Sequence, residues 1–212
     1  MKNWIHKIWE GILAGVAHMV IALLGVIMRV LYPGQVIFND SASKVAIKQG
    51  AILIANHTSH KDGFFAPKML SKQKVYVLVT RKWYDKKFLN PLFRHLRYIP
   101  INLEEQDAAW MVQAETILKK GQCVLIFPEG KLETDGVSET FHSGFLLLVR
   151  HLNVPVVPMA ITGGYRVFHK QTLRIGSSLQ LDLHAKGRLS VVLDKVAEQC
   201  KQEVFALVHQ EK

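Results

Sequence analysis

Short, nearly continuous apolar runs separated by helix-length stretches dominate the chain from Gln35 onward. Runs at 36–38, 51–55, 75–79, 98–101, 123–127, 154–160 and 173–183 are the expected strands. Most lack a polar alternate, as strands covered on both faces do. Strand-sized runs alternating with helix-sized segments point to an α/β fold: a mixed, substantially parallel sheet covered by helices. No internal repeat or low-complexity linker interrupts it.

The best-specified helix is expected at 103–120. Asn102 with Glu105 has the spacing of a capping box, acidic residues fill the first turn, and Lys119-Lys120-Gly121 closes the helix. Ala108, Met111, Ala114 or Glu115, and Leu118 trace its faces. Helices are also expected after Asp62, Trp83 and Ser143, and an amphipathic one from Ser190 carries Val192, Val196, Val204 and Leu207.

The N-terminal stretch follows a different rule. In residues 11–28 the only ionisable side chain is His18, and at the helical rise this run covers about 27 Å, a marginal membrane span. Trp4 and Trp9 precede it and Arg29 and Tyr32 follow it, as interfacial residues do, and Pro33-Gly34 ends the helix. The expected organisation is a membrane-associating segment, 1–34, and a catalytic-sized domain, 35–212. A secretory signal and a buried core helix are the competing readings; the run exceeds a usual signal core, and no clear small-x-small site follows. Spanning, re-entrant and in-plane attachment all fit.

At 212 residues, 49% of them hydrophobic, the chain can bury one full-sized core, which argues against disorder. Cys123 and Cys200 have neither redox nor metal-ligand spacing, which fits a reducing compartment. The net charge of +10 is spread along the chain and favours an anionic partner such as phospholipid headgroups, a phosphorylated substrate or nucleic acid. No aromatic-interleaved basic motif supports the last, so no nucleic acid is expected.

Candidate chemistry begins where the run 51–55 ends, at Asn56-His57-Thr58-Ser59-His60-Lys61-Asp62. Five residues of helix turn about 500°, so His57 and Asp62 meet only if a turn separates strand from helix. There the carboxylate can hold one ring nitrogen and leave the other as a general base. A metal site using His57 and His60 is conceivable, but a solvent-facing His60 is simpler, and no metal is expected. The second stretch, Phe127-Pro128-Glu129-Gly130, also ends an apolar run. Pro128 stops the strand and Gly130 permits close approach, which presents Glu129 where ligands bind in parallel α/β sheets. The third, from Val154 to Gly163, has prolines at 155 and 158 that belong at an end, edge or irregularity; it reads as a core strand that could also line an apolar groove.

In this order, the Asn-His-x4-Asp block, Phe127 to Gly130, Phe141-x-x-Gly144 and the Val-Pro-x-x-Pro block at Val154 to Pro158 resemble the glycerolipid acyltransferases. Among these they are most similar to bacterial 1-acyl-glycerol-3-phosphate acyltransferases, over roughly residues 35–193. The resemblance implies acyl transfer from an acyl-CoA or acyl-carrier-protein thioester to a glycerolipid hydroxyl at the cytoplasmic face of a membrane, with no bound cofactor. It makes His57 the base, Asp62 its orienting partner, and Glu129 and Gly130 part of the acceptor site, with Phe127 and Pro128 beside them. A backbone N–H in the turn after His57 is a candidate oxyanion donor.

Two departures bear on the acceptor. An Asp-Arg pair usual in the family is replaced by Asn102-Leu103, and the Thr-Arg that often follows Phe-Pro-Glu-Gly is replaced by Lys131-Leu132. Lys82, Arg81, Arg97 and Lys131 are candidate substitutes, although lysine does not reproduce a bidentate guanidinium contact. Lysophosphatidic acid is the default acceptor, with another lysophospholipid or hydroxylated lipid as the alternative. A non-catalytic lipid-binding protein on the same scaffold is the rival reading.

Overall fold

The structure is a computed structural model that describes residues 2–86, 90, 93, 96–102, 108–132 and 140–210. One sheet organises it: β1 (Gly34–Phe38), β2 (Ile52–Ala55), β3 (Val75–Thr80), β4 (Tyr98–Ile101), β5 (Cys123–Ile126), β6 (Val156–Thr162) and β7 (Gln171–Ile175). Their spatial order is β1-β7-β6-β2-β5-β3-β4. The five strands from β6 to β4 are mutually parallel; β7 runs antiparallel to β6 and carries β1 parallel to itself. The mixed, substantially parallel sheet expected from the apolar runs is therefore present, and every expected strand lies in it.

Alternation within β2 and β5 divides the core in two. Leu53, Ala55, Cys123 and Leu125 face a cluster containing Ala46, Ile47, Phe65 and Ala66. Ile52, Ile54, Val124 and Ile126 face a cluster with Trp110, Leu118, Phe145 and Val196. The helices supplying those residues are α2 (Ser41–Gln49) and α3 (Asp62–Met69) for the first cluster. For the second they are α5 (Ala109–Leu118), α6 (Phe145–Leu152) and α7 (Leu189–His209). A strand buried on both faces needs apolar residues at consecutive positions, which is why these runs show no polar alternation.

Several expected boundaries change. The last strand ends at Ile175, and Leu179 makes only an isolated bridge to Val156. Of the helix expected at 103–120, the described part is α5; Glu105 and the acidic first turn lie outside the described residues, and Ala108 makes no side-chain cap. A short α4 (Arg81–Tyr84) includes Trp83, and helical residues follow it at Asn90 and Phe93. Helix α2 was not expected, yet its signals are local: Asp40 accepts from the Ser43 backbone N–H at 2.7 Å, and Gly50 ends the helix at φ +98°. A Cβ at Gly50 would sit 2.8 Å from the carbonyl carbon of Gly121, so the turns entering β2 and β5 touch there.

Both prolines fall at an end or interruption of pairing, and Pro155 stands just before β6 (Val156–Thr162). Pro158 lies inside β6, an interior strand, not at an edge. Its carbonyl accepts from Gly176 and that of Val156 from Leu179, so the missing N–H points to the same side. There β7 has already ended, since its ladder with β6 starts at Met159, and no donor is required.

Helix α1 (Lys2–Leu31) contains the apolar run 11–28. Among the described residues no helix is long and apolar enough to cross a membrane. Trp9, Ile12, Val16, Met19, Leu23, Val26 and Val30 are nevertheless exposed, at alternating spacings of three and four, which places them on one stripe. The end of α1 is tied to the β6–β7 loop, where the Phe168 N–H donates to the Leu31 carbonyl at 2.7 Å and the Gln171 N–H to Pro33 at 2.7 Å. Both the end of α1 and this loop therefore lie at the edge where β2 and β5 terminate.

Candidate active site

Strand β2 ends at Ala55, and the next side chain continues its ladder. Buried Asn56 donates from Nδ2 to the Ile161 carbonyl at 3.1 Å and accepts from the Ile161 N–H at 2.8 Å. An amide side chain thus replaces a backbone unit on β6, fixing where the chain leaves the sheet. His57 follows on the turn, and Asp62 opens α3, the strand-turn-helix arrangement that the spacing required.

Asp62 closes that turn. Its Oδ2 accepts from the backbone N–H groups of Thr58 and Ser59, each at 2.8 Å, and lies 3.1 Å from His57 Nδ1. The carboxylate side chain is 0% exposed and the imidazole 19%. With an acceptor-only carboxylate on Nδ1, the neutral ring carries its proton there and leaves the Nε2 lone pair as base. An oxyanion donor was expected from a backbone N–H in this turn; those of Thr58 and Ser59 are already donated to Asp62, so either would have to be shared with the carboxylate.

The second stretch comes from the neighbouring strand. Strands β2 and β5 pair in parallel, so their carboxyl ends lie side by side, and the Phe127 ring stacks on the His57 ring with centroids 4.2 Å apart. Pro128 is buried beside it and Glu129 is 1% exposed. Gly130 adopts φ +70° and its N–H donates to the Phe127 carbonyl at 3.2 Å, which turns the chain sharply after β5. Thus Phe127, expected beside a substrate, also forms a platform for the histidine.

A cavity of about 960 Å³ opens beside this pair, lined by His57, Phe127, Pro128, Gly130 and Lys131. Much of its wall is apolar, including Leu78, Tyr98, Ile101, Trp110, Ile126 and Leu147. Burial raises the Tyr98 hydroxyl's pKa above the ordinary phenol value, so it stays protonated there. Of the four candidate cations, Lys131 lines the cavity, whereas exposed Lys82, Arg81 and Arg97 do not. The Val-Pro-x-x-Pro strand does not line it either. His60 is exposed at the cavity edge with its ring 5.0 Å from that of Trp83. Among the described residues no three His, Cys, Asp or Glu side chains cluster as a metal site.

One neighbour was missed from the sequence. Tyr165 follows the Gly163-Gly164 pair just after β6, and its buried ring packs edge-on against Phe65 of α3, the helix that Asp62 opens. Its one local signal is the glycine pair, which marks a turn without showing where the next side chain goes.

Comparison with known proteins gives the family and the fold. Residues 35–162 match the family model described as Acyltransferase. The 1-acyl-sn-glycerol-3-phosphate acyltransferase of Limnanthes douglasii is 32% identical over 132 residues, covering 60% of this chain and 46% of the relative. That of Cocos nucifera is 29% identical over 134 residues, covering 59% of this chain and 41% of the relative. The chain thus spans less than half the length of these plant relatives. A crystal structure of the 1-acyl-sn-glycerophosphate (LPA) acyltransferase PlsC from Thermotoga maritima shares the fold, with a TM-score of 0.60 at 18% identity over 100% of this chain and 85% of that one. With the family match covering most of the sheet and both motif turns, the chain belongs to the acyltransferase family.

Proposed function

We propose that this chain is a membrane-associated O-acyltransferase that moves an acyl group from a thioester of coenzyme A or acyl-carrier protein to a glycerolipid hydroxyl. The observation that carries the reading is the His57–Asp62 pair, 3.1 Å apart, opening onto a largely apolar cavity. His57 Nε2 takes the proton of the acceptor hydroxyl as its oxygen bonds to the thioester carbonyl carbon. The tetrahedral intermediate collapses, the C–S bond breaks, and the thiolate leaves with the proton returned by the imidazolium. No acyl-enzyme is needed, because the acceptor oxygen attacks directly. Asp62 stabilises the imidazolium between the two proton transfers, and the apolar wall takes the acyl chain.

Lysophosphatidic acid is the acceptor we favour, given the plant relatives' stated activity and the position of Lys131 on the cavity wall. Purified full-length protein should acylate it with a radiolabelled acyl thioester, faster than it acylates lysophosphatidylcholine, lysophosphatidylethanolamine or a long-chain alcohol. Turnover confined to another of these would replace the acceptor. Stoichiometric lipid binding with no turnover on any acceptor would instead establish a binding protein.

The same reading assigns residues 1–34 to membrane contact at the cytoplasmic face and 35–212 to catalysis. The exposed stripe on α1 supports it, because an apolar side chain such as Met19, 67% exposed, gains by entering lipid. Full-length protein should co-sediment with phosphatidylethanolamine–phosphatidylglycerol vesicles, and Met19→Asp with Leu23→Asp should lower the bound fraction about tenfold or more. Wild-type protein left in the supernatant would contradict this assignment.

A further inference from the structure

We infer that Tyr165 is a positioning residue for the acyl transfer, its hydroxyl holding the Asp62 oxygen that His57 does not use. The inference rests on the proposed roles of His57 and Asp62. Asp62 Oδ2 carries three contacts, to His57, Thr58 and Ser59. Oδ1 and the Tyr165 hydroxyl are both buried, and each is without a hydrogen-bond partner among the described residues, a complementary acceptor and donor left over. A buried carboxylate oxygen and a buried phenol without partners each carry a desolvation penalty, which a hydrogen bond between them removes with a small side-chain adjustment.

Tyr165 is held from several sides. Its backbone N–H donates to Gln171 Oε1 at 2.9 Å, and its φ of +51° is a conformation that a non-glycine side chain adopts only under constraint. The ring meets those of Tyr32 and Phe65 edge-on, each at 5.6 Å. Lys61 Nζ lies 5.4 Å from its centroid and donates to Tyr32 Oη at 3.0 Å. The titratable and charged groups packed about the phenol are therefore Asp62, Lys61 and Tyr32, with His57 beyond Asp62. Burial foremost, and then the Asp62 charge and its acceptance of a hydrogen bond, raise the phenol's pKa. The hydroxyl consequently remains a donor across any working pH.

A donor on Oδ1 lowers the proton affinity of the carboxylate and fixes its plane. Without it Asp62 becomes the stronger acceptor, His57 holds its proton more tightly, and base catalysis begins at higher pH. Tyr165→Phe in the full-length protein should lower kcat about tenfold, leave KM within about twofold, and move the acid limb of kcat/KM up by about half a pH unit. Site-specific 3-fluorotyrosine at 165, a stronger donor, should move that limb down. A merely structural role would not give these opposite shifts. Should Tyr165→Phe fail to fold, the fluorotyrosine protein decides alone, because its ring is nearly the same size. An acid limb unchanged in the folded variants, with His57→Ala inactive, overturns this inference only. An active His57→Ala overturns the acyl-transfer reading and this inference with it.

Discussion

His57→Ala is expected to lower kcat for thioester-dependent acylation about a thousandfold or more, the scale of a lost general base. The same substitution should leave the protein folded. The imidazole is part-exposed at the cavity and is held by one side-chain contact and the Phe127 ring. Its loss costs the ring stack and some apolar contact, about 1 kcal/mol. Urea unfolding of the variant should therefore resemble wild type while the labelled-product assay reads near background. Unchanged turnover would remove His57 from the mechanism.

Asp62 separates orientation from scaffolding, because the same oxygen serves both. Asp62→Asn should keep the turn, because its amide oxygen can take the Oδ2 place against the Thr58 and Ser59 N–H groups, and should still lower kcat about a hundredfold or more, since a neutral amide no longer stabilises the imidazolium. Asp62→Ala should fail in both respects. Removing the acceptor strands the Thr58 and Ser59 N–H groups, which accounts for a loss of about 2–4 kcal/mol in unfolding free energy. The contrast with His57→Ala is the diagnostic: both variants lose turnover, and only Asp62→Ala also unfolds at distinctly lower urea. Equal stability of the two alanine variants would mean that the turn does not depend on the carboxylate.

The strands and the motif turns were legible because each is written within a few consecutive residues. A doubly covered strand needs an unbroken apolar run, and β2, β5 and β6 provide one. A carboxylate five residues after a histidine can close a turn upon it, and Asp62 does so with two backbone donors as well. Helix α2 was equally local, with Asp40 before it and Gly50 after it, but its low apolar content hid it from a reading weighted to hydrophobic periodicity. Pro158 was legible only in part. A missing donor normally signals an edge, yet in β6 it faces the place where β7 has already ended, a fact of sheet order that no local pattern carries.

By itself, therefore, the sequence determined the α/β architecture, the strand set and the pairing of His57 with Asp62, all through interactions between near neighbours in the chain. Only the tertiary structure decided which distant groups join them. The parallel pairing of β2 with β5 stacks Phe127 on His57, and the turn after β6 brings the Tyr165 ring against Phe65 of α3, the helix that Asp62 opens. It also separated Lys131, on the cavity wall, from Lys82 and Arg97, which do not line it. The physical reason is that strand order brings together side chains that no sequence spacing relates.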